Sequence, residues 1–175
     1  MKVWDAPVRV LHWTLVLCVA GAWFSTDNFS RWHQPLGYGG LAAVLLRLLW
    51  GGAGSRYARF TQFLRSPRAA LAYGRLLLQG REPRYVGHNP LGGWMIVALM
   101  ACVLGLALTG WLYTTDRFWG DETVEDIHVA LAWTLLGLAA LHIAGVIFTS
   151  LRHRENLVRA MFTGRKRAAG PDDVG

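Results

Sequence analysis

The chain has 175 residues, of which 53% are hydrophobic and only 17% charged, and it contains nine tryptophans. This composition is too apolar for an ordinary soluble domain of this size and indicates a membrane protein. The formal net charge of +7 is compatible with nucleic-acid binding. The charged residues nevertheless gather between the apolar segments, which favours membrane topology and no nucleic-acid partner.

Four apolar segments are each about as long as the roughly 20 residues that span a bilayer as a helix. They are residues 7–26, 32–51, 90–113 and 126–150. In the first, Asp5 and Pro7 can start the helix, and Asp27 and Asn28 can end it. A cleaved signal peptide is the alternative for this segment, but it contains a histidine and lacks an A-x-A cleavage site.

The loop of residues 52–87 is too long to lack secondary structure. Within it, residues 66–80 begin with Ser-Pro and end with glycine, which are helix start and stop signals. Arg68 and Arg75 are seven residues apart and share a helix face. These features predict a short interfacial helix on the cytoplasmic surface, with a flexible basic loop as the alternative.

Lys and Arg residues determine the predicted orientation. The N-terminus, the 52–87 loop and the segment after residue 150 together hold 15 of the 18 basic residues. Both termini are therefore expected on the cytoplasmic side of the membrane. The opposite side is acidic and carries Asp27, Asp116, Asp121, Glu122, Glu125 and Asp126, with Arg31 and Arg117 as its basic residues.

The expected fold is all-α, a four-helix transmembrane bundle with the short interfacial helix. One domain covers residues 1–167, and the composition of residues 168–175 predicts a disordered tail. Cys18 and Cys102 both lie inside apolar segments and resemble small hydrophobic residues, so neither a disulfide nor a CxxC metal site is expected.

Two histidines of the fourth segment carry the functional prediction. His128 and His142 are fourteen residues apart, which brings them within about 40° of each other after four helical turns and separates them by about 21 Å along the axis. His12 lies near the inner end of the first segment and His33 at the outer start of the second. Two levels are predicted, with His12 and His142 inside and His33 and His128 outside.

Paired histidines suit haem better than zinc. Zinc needs at least three protein ligands, whereas a haem iron needs two axial ligands, for which imidazole is common. A lone intramembrane histidine is more often a helix–helix hydrogen-bond partner, and a haem-free transporter with a histidine proton relay is a further alternative. Four histidines at two matched depths predict two haem groups.

Arg47 lies fourteen residues after His33, on the same face at the inner level. It is a candidate partner for a haem propionate, as is Arg9, one turn before His12; a snorkelling arginine is the alternative for Arg47. His88 and His153 fit ordinary interfacial positions, and a proton or quinone site there stays open.

The chain resembles the bacterial cytochrome b561 family, in the superfamily that includes the b-type cytochrome subunits of nickel–iron hydrogenases. The resemblance covers about residues 5–167 and is carried by "RVLHW", "WHQPLGYG", "RLLW", "HNPLGGWM", "LTGW", "IHVALAW", "LHIAGV" and "HRENLVRAMFTGRKR". It implies non-covalent haem b, with axial iron ligands at His12, His33, His128 and His142.

The resemblance also implies a place in the bacterial inner membrane and electron transfer across it. The expected partners are membrane lipid, a quinone, and a periplasmic c-type cytochrome or other redox protein, and a homodimer is a further possibility. A superoxide–quinone oxidoreductase and the cytochrome b subunit of a hydrogenase or dehydrogenase are the alternatives. Hydrogenase-linked members tend to be longer, which disfavours that last role.

Overall fold

The computed structural model describes residues 1–26 and 30–175, and the elements of that part are helical. A 3-10 turn covers Arg56–Ala58. The α-helices are α1 (Ala6–Phe24), α2 (Ser30–Ala53), α3 (Phe60–Phe63), α4 (Pro67–Leu78), α5 (Pro90–Leu112), α6 (Glu122–Arg152) and α7 (Leu157–Thr163).

Four of these helices, α1, α2, α5 and α6, are long and apolar enough to cross a membrane. They confirm the four predicted spans and make the chain a multi-pass membrane protein. The predicted end of the first span at Asp27 and Asn28 lies outside the described residues. The fourth span is longer than predicted, because α6 has 31 residues and so extends for about 46 Å, beyond the roughly 30 Å hydrocarbon core.

Short polar side chains fix where the spans begin. The Asp5 carboxylate accepts a hydrogen bond from the backbone N–H of Val8 at 2.9 Å, at the start of α1. Asp121 does the same for Val124 at 3.0 Å, at the start of α6, and Asn89 for the first turn of α5. Each satisfies a backbone donor that the helix itself leaves unpaired. The cap at Asp121 explains why α6 begins before the apolar segment does.

Helix α4 occupies most of the segment predicted to be helical, so a wholly flexible loop is not what forms there. Ser66 accepts a hydrogen bond from the N–H of Ala69 at 3.3 Å, and a proline follows the cap as the first helical residue. Ala70 and Tyr73 are buried on one face. The position of α4 on the membrane surface stays a prediction.

The chain forms two compact units. Unit 1 comprises Met1–Arg9, Leu49–Val97 and Ala140–Gly175, and unit 2 comprises Val10–Leu48 and Ala98–Ala139. Unit 1 contains a hydrophobic cluster that the terminal segments help to build, and its buried members are Val3, Trp4, Val8, Ala58, Val86 and Ala160. The two termini are paired within it, since the N–H groups of Val3 and Trp4 both donate to the carbonyl of Gly164.

Small residues allow the helices of unit 2 to approach closely. A Cβ added at Gly39 would lie 3.0 Å from the Cys18 sulfur, and one at Gly105 would lie 3.0 Å from a methyl of Leu131. Such contacts are typical of membrane helices, where small side chains let backbones pack together. Unit 2 thereby holds helix faces in fixed register, which the histidines described next require.

Candidate functional site

His33 and His128 lie together in unit 2. His33 is in the first turn of α2 and His128 is in the second turn of α6. Their ring centroids are 6.1 Å apart and the ring planes are inclined by 61°. Both side chains are half-buried. The two residues that were predicted to share the outer level are thus brought together.

A backbone carbonyl fixes the tautomer of His33. Its Nδ1 lies 2.9 Å from the carbonyl oxygen of Ala22, near the end of α1. A carbonyl oxygen can only accept, so Nδ1 carries the proton. The lone pair of the neutral ring is therefore on Nε2, which is the nitrogen left for a metal.

Thr109 fixes His128 in the same way. The Thr109 hydroxyl, which is buried at 7% exposure, donates to the carbonyl of Gly105 at 2.9 Å, one turn back in α5. Its oxygen lies 2.8 Å from Nδ1 of His128. Because the hydroxyl proton is already used within its own helix, His128 is the donor, and its lone pair is also on Nε2. Sequence reasoning missed Thr109, although a lone polar residue in an apolar span is a usable signal.

The outer pair fits the axial ligands of one haem iron. A metal–nitrogen bond of about 2 Å on each side, plus the inner half of each ring, separates two imidazole centroids by roughly 6 Å, and 6.1 Å is found. A Cβ at Gly110 would lie 3.3 Å from Cε1 of His128, so glycine keeps that side of the ring open. A porphyrin-bound iron needs two axial ligands. Within the described ranges, no three His, Cys, Asp or Glu side chains converge as a metal site.

His12 and His142 are placed in separate units. His12, in the second turn of α1, is half-buried, and its ring meets the edge of Trp13 with centroids 5.1 Å apart. His142 is half-buried in α6, fourteen residues after His128 on the same unbroken helix. Each keeps the position along its helix that the sequence predicts, and their pairing stays a prediction.

The two candidate arginines have different surroundings. Arg47 is half-buried in α2, four turns after His33. Arg9 donates from Nη1 to the carbonyl of Phe162 in α7, and thereby ties the start of α1 to the C-terminal part of unit 1. A role of either residue toward a haem propionate stays a prediction.

His88 and His153 both lie in unit 1, outside the spans. The His88 ring is packed between Trp4 and Phe63, with centroids at 4.5 Å and 4.8 Å, which is a packing role. His153 follows the end of α6, where burial is the main cause that lowers its pKa.

The predicted outer side of unit 2 presents exposed acidic groups beside an aromatic ring. Glu122 and Asp126 are exposed in the first turns of α6, and Trp119 is 75% exposed. Glu125 accepts a hydrogen bond from the Tyr113 hydroxyl at 3.1 Å, and this bond, with the negative charge, raises the pKa of the tyrosine. The result is a surface with exposed carboxylates and an exposed indole.

Comparison with known proteins identifies the arrangement of helices and histidines. The family described as prokaryotic cytochrome b561 matches residues 3–164. The chain belongs to this family. It is therefore a membrane cytochrome that binds haem b and transfers electrons.

Two curated relatives of this cytochrome carry the printed name "Probable Ni/Fe-hydrogenase B-type cytochrome subunit". The protein of that name from Bradyrhizobium diazoefficiens is 25% identical over 94% of this chain and 85% of its own length. The one from Rhodobacter capsulatus is 23% identical over 94% and 80%. A third, from Escherichia coli strain K12 and printed as "hydrogenase 1", is 25% identical over 86% and 82%. No solved structure is significantly similar to the chain.

A buried ion network in unit 1 of the cytochrome was missed by sequence reasoning. Arg84 binds Glu155 through two hydrogen bonds, Nη2 to Oε1 at 2.8 Å and Nε to Oε2 at 3.3 Å. Its Nη1 pairs with Asp173 in the C-terminal segment. All three side chains are buried. Burial raises the pKa of Glu155, but the bonds from Arg84 and from the N–H of Arg167 outweigh it and leave the pKa lowered.

Backbone pairing places the C-terminal segment as well. The N–H of Val174 donates to the carbonyl of Arg84 and the N–H of Val86 donates to the carbonyl of Val174, both at 2.9 Å. The ion pair of Arg84 with Asp173 joins positions 89 residues apart. The disorder expected for residues 168–175 stays a prediction.

Lys166 is buried next to this network. Its Nζ donates to the carbonyl of Val86 at 2.9 Å and lies 3.8 Å from the carboxylate of Glu155. Burial lowers the pKa of Lys166 to about 8, with the nearby Arg84 charge adding to the effect and the Glu155 and Asp173 charges opposing it. The charge of this lysine is therefore sensitive to pH just above neutrality.

Proposed function

We propose that the chain is a di-haem cytochrome b that carries electrons across the membrane between a quinone pool or other cytoplasmic-side site and a periplasmic redox partner. The main observation behind this proposal is the arrangement of His33 and His128, called the outer pair. Their Nδ1 atoms donate to the Ala22 carbonyl and to the Thr109 hydroxyl, respectively. Both rings therefore offer Nε2, and their spacing suits a single iron between them. Family membership supports haem b as the group.

A bound haem supplies a one-electron iron couple. The protein's contribution is to hold the ligand rings before the haem arrives. The carbonyl of Ala22 and the hydroxyl of Thr109 fix tautomer and orientation, and an Nδ1–H bond also raises the basicity of the ring as a ligand. The apolar helices around the pair exclude water. Because the ligand rings are already held in place, they need not move when the iron gains or loses an electron, and this favours fast electron transfer.

The second haem is assigned to His12 and His142. The equal depth that the sequence predicts for these two residues along their spans supports the assignment, as does the family resemblance. Arg47 is assigned to a propionate of this inner haem, with Arg9 as a further candidate. Changing Arg47 to Gln is expected to lower the inner haem's reduction potential, because a positive charge near iron stabilises the reduced form. An unchanged potential in a redox titration would return Arg47 to a snorkelling role.

Unit 1 is assigned to the cytoplasmic side. It carries 15 of the 18 basic residues and contains both termini, and cytoplasmic segments of membrane proteins are rich in Lys and Arg. Pairing of the N-terminal residues with Gly164 places the two termini together, as four spans require. A C-terminal reporter that is active only in the periplasm would contradict the assignment.

The test of the outer pair is the haem content of single variants. Wild-type protein is expected to give two haem b per chain in a pyridine haemochrome assay. His33→Ala and His128→Ala should each lose about one haem, and the two variants should leave the same remaining spectrum. His153→Ala is the matched control, because that histidine lies outside the spans, and it should keep both haems.

Loss of different haems in His33→Ala and His128→Ala would contradict the pairing of these two histidines. Retention of both haems would contradict the site itself. Absence of haem from purified wild-type protein, with proton transport present, would favour the histidine relay instead.

A hydrogenase or dehydrogenase subunit is the second candidate function. The observation that favours it is the printed name of the curated relatives. Co-purification of a hydrogenase or dehydrogenase catalytic subunit with the tagged cytochrome, in stoichiometric amount, would establish it. Superoxide as electron donor is less well matched, because the exposed Glu122 and Asp126 carboxylates repel an anion.

A further inference from the structure

Unit 1 contains an apolar groove between α4 and the first turn of α5. Its volume is about 420 Å³, and its walls are almost wholly hydrocarbon. Four consecutive positions of one helical face form the α4 side, namely Leu71, Gly74, Arg75 and Leu78, spaced i, i+3, i+4 and i+7. Leu91 forms part of the opposite side. Gly74 keeps the floor of the groove low.

The groove face of α4 is not covered by the protein. Leu71 is 67% exposed and Leu78 is 90% exposed, whereas Tyr73, on the opposite face of the helix, is buried. Such a continuous apolar strip on a short helix marks a surface that contacts something apolar. Neither function proposed above uses it.

The segment that contains α4, residues 52–87, is strongly basic. Six of the seven arginines of residues 52–87 are exposed, and Arg75 is at the rim of the groove. The same segment contains one carboxylate, that of Glu82. It is buried and accepts a hydrogen bond from Nε of Arg152 at 2.8 Å. The ligand that complements an apolar groove with a cationic rim is an anion with a hydrocarbon chain.

The groove also lies where a membrane begins. Leu91 is the second residue of α5, whose mean hydropathy is 2.3. One turn on, the indole N–H of Trp94 donates to the carbonyl of Arg65 at 3.1 Å. An indole with its N–H toward a polar backbone and its ring at a span end is typical of the headgroup level.

We propose that this groove binds one acyl chain of an anionic phospholipid, with Arg75 holding the phosphate. The proposal rests on the four membrane spans and is independent of the number of haems. It commits to a lipid of the surrounding bilayer, since the rim charge matches a headgroup and the walls match a chain. The bound lipid would anchor α4 to the membrane surface.

The experiment is native mass spectrometry of the haem-loaded protein, released from detergent with phosphatidylglycerol or phosphatidylcholine of identical chains. The wild type should retain phosphatidylglycerol about fivefold better than phosphatidylcholine, the factor expected for one arginine near an anionic lipid. Gly74→Leu should fill the groove and abolish retention of both lipids. A Cβ at Gly74 lies 3.9 Å from Leu91, so this variant is expected to fold. The haem spectrum of Gly74→Leu checks that the variant has folded.

Two matched controls make the result specific. Ala72→Leu introduces the same side chain at an exposed position of α4 outside the groove lining, and should retain lipid as the wild type does. Arg75→Gln should remove the preference for phosphatidylglycerol and keep the binding seen with phosphatidylcholine. Arg68→Gln makes an equal change of charge about two turns earlier in the helix. It should keep the preference for phosphatidylglycerol.

Three outcomes would overturn the proposal. Equal retention by Gly74→Leu and Ala72→Leu would mean that the groove holds no chain. Equal effects of Arg68→Gln and Arg75→Gln would mean general surface attraction. Retention of an isoprenoid quinone in place of phospholipid, lost in Gly74→Leu, would assign the groove to a quinone tail. Haem content is unaffected in each case, so failure here is distinguishable from failure of the haem assignment.

Discussion

The two units of this cytochrome use buried polar groups in opposite ways. Unit 1 has 15 of the 18 basic residues and five of the 11 acidic ones, whereas unit 2 has three and six. Unit 1 buries charges, with Arg84 bound to two carboxylates whose side chains are at most 9% exposed. Unit 2 buries neutral groups, with the Thr109 hydroxyl and a carbonyl holding two imidazoles.

The difference separates stability from function. A buried charge depends on its partner, because an uncompensated ion in an apolar interior costs several kcal/mol. A neutral hydrogen bond contributes about 1 kcal/mol but sets direction. Unit 1 is therefore expected to respond to mutation mainly through folding, and unit 2 mainly through the properties of the haem.

The largest expected effect is on the stability of unit 1. Arg84→Met takes the guanidinium away from the Glu155 and Asp173 carboxylates, and leaves Glu155 with the Arg167 N–H and with the Lys166 ammonium at 3.8 Å. It should lower the free energy of unfolding by about 3 kcal/mol. Chemical denaturation in a mild detergent measures this. Arg81→Met is the matched control, because Arg81 is exposed, and it should change stability by less than about 0.5 kcal/mol. Equal losses in the two variants would show that the network contributes nothing.

The second prediction concerns pH and follows from Lys166. Its pKa is about 8 in the folded chain and 10.5 ordinarily. Between these values the unfolded chain binds a proton that the folded chain has released, so stability rises with pH. From pH 8 to pH 10 the gain is at most about 2 kcal/mol. Burial raises the pKa of Tyr73 to about 12, and that group lowers stability only above about pH 10.

The matched variant for this prediction is Lys166→Met. It keeps the length of the side chain and removes the titrating group, so its stability should be nearly independent of pH between 8 and 10. The measurement is a set of denaturation curves at half-unit intervals in one detergent. A wild-type curve that falls over this range, or a slope that persists in Lys166→Met, would show that Lys166 does not control it.

The units also differ in how much of them could be predicted from sequence. The four spans and the depth of the histidines in unit 2 follow from hydropathy and from helix geometry, both of which are local. The approach of His33 to His128 was predicted because depth along a span limits which side chains can meet. The hydrogen-bond partner of His33 could not be predicted, because it is the backbone carbonyl of Ala22 and a carbonyl has no side-chain signature.

Unit 1 was less predictable for a physical reason. Arg84 meets Glu155 and Asp173 across 71 and 89 positions of sequence, and no periodicity connects such distant residues. Asp5 was read only as the start of a helix. In the structure it also accepts hydrogen bonds from Trp50 at 2.9 Å and Ser55 at 2.6 Å, contacts that exist only once the chain has folded.

The third prediction tests whether unit 2 acts on the haem more than on folding. Thr109→Val keeps the shape of the side chain and removes the acceptor of the His128 Nδ1–H bond. The ring becomes a less basic ligand, so the outer haem should have a higher reduction potential, with a loss of stability of only about 1 kcal/mol. Redox titration followed at the haem bands measures the change.

Thr134→Val is the control for Thr109→Val. The Thr134 hydroxyl also donates to a carbonyl one turn back in its own helix, that of Ala130 at 2.8 Å, and it is exposed. The haem reduction potential of Thr134→Val should match that of the wild type. A shift of the same size in both variants would mean that a lost hydroxyl, and not the bond to His128, is responsible.

The smallest expected effect concerns the exposed acidic surface of unit 2, which should influence the rate of encounter with a partner and leave stability unchanged. Asp126→Lys reverses one charge of that surface, and Asp172→Lys reverses an exposed charge of unit 1. At low ionic strength, reduction of the cytochrome by a basic cytochrome c should slow about threefold in Asp126→Lys and remain unchanged in Asp172→Lys. Stopped-flow absorbance measures the rates.

Added salt should slow reduction of the wild type and reduce the difference in rate between the two variants, because ions screen charges beyond roughly 8–10 Å. Rates that do not depend on salt, together with fast reduction by superoxide, would favour a superoxide–quinone oxidoreductase over a protein partner at this surface.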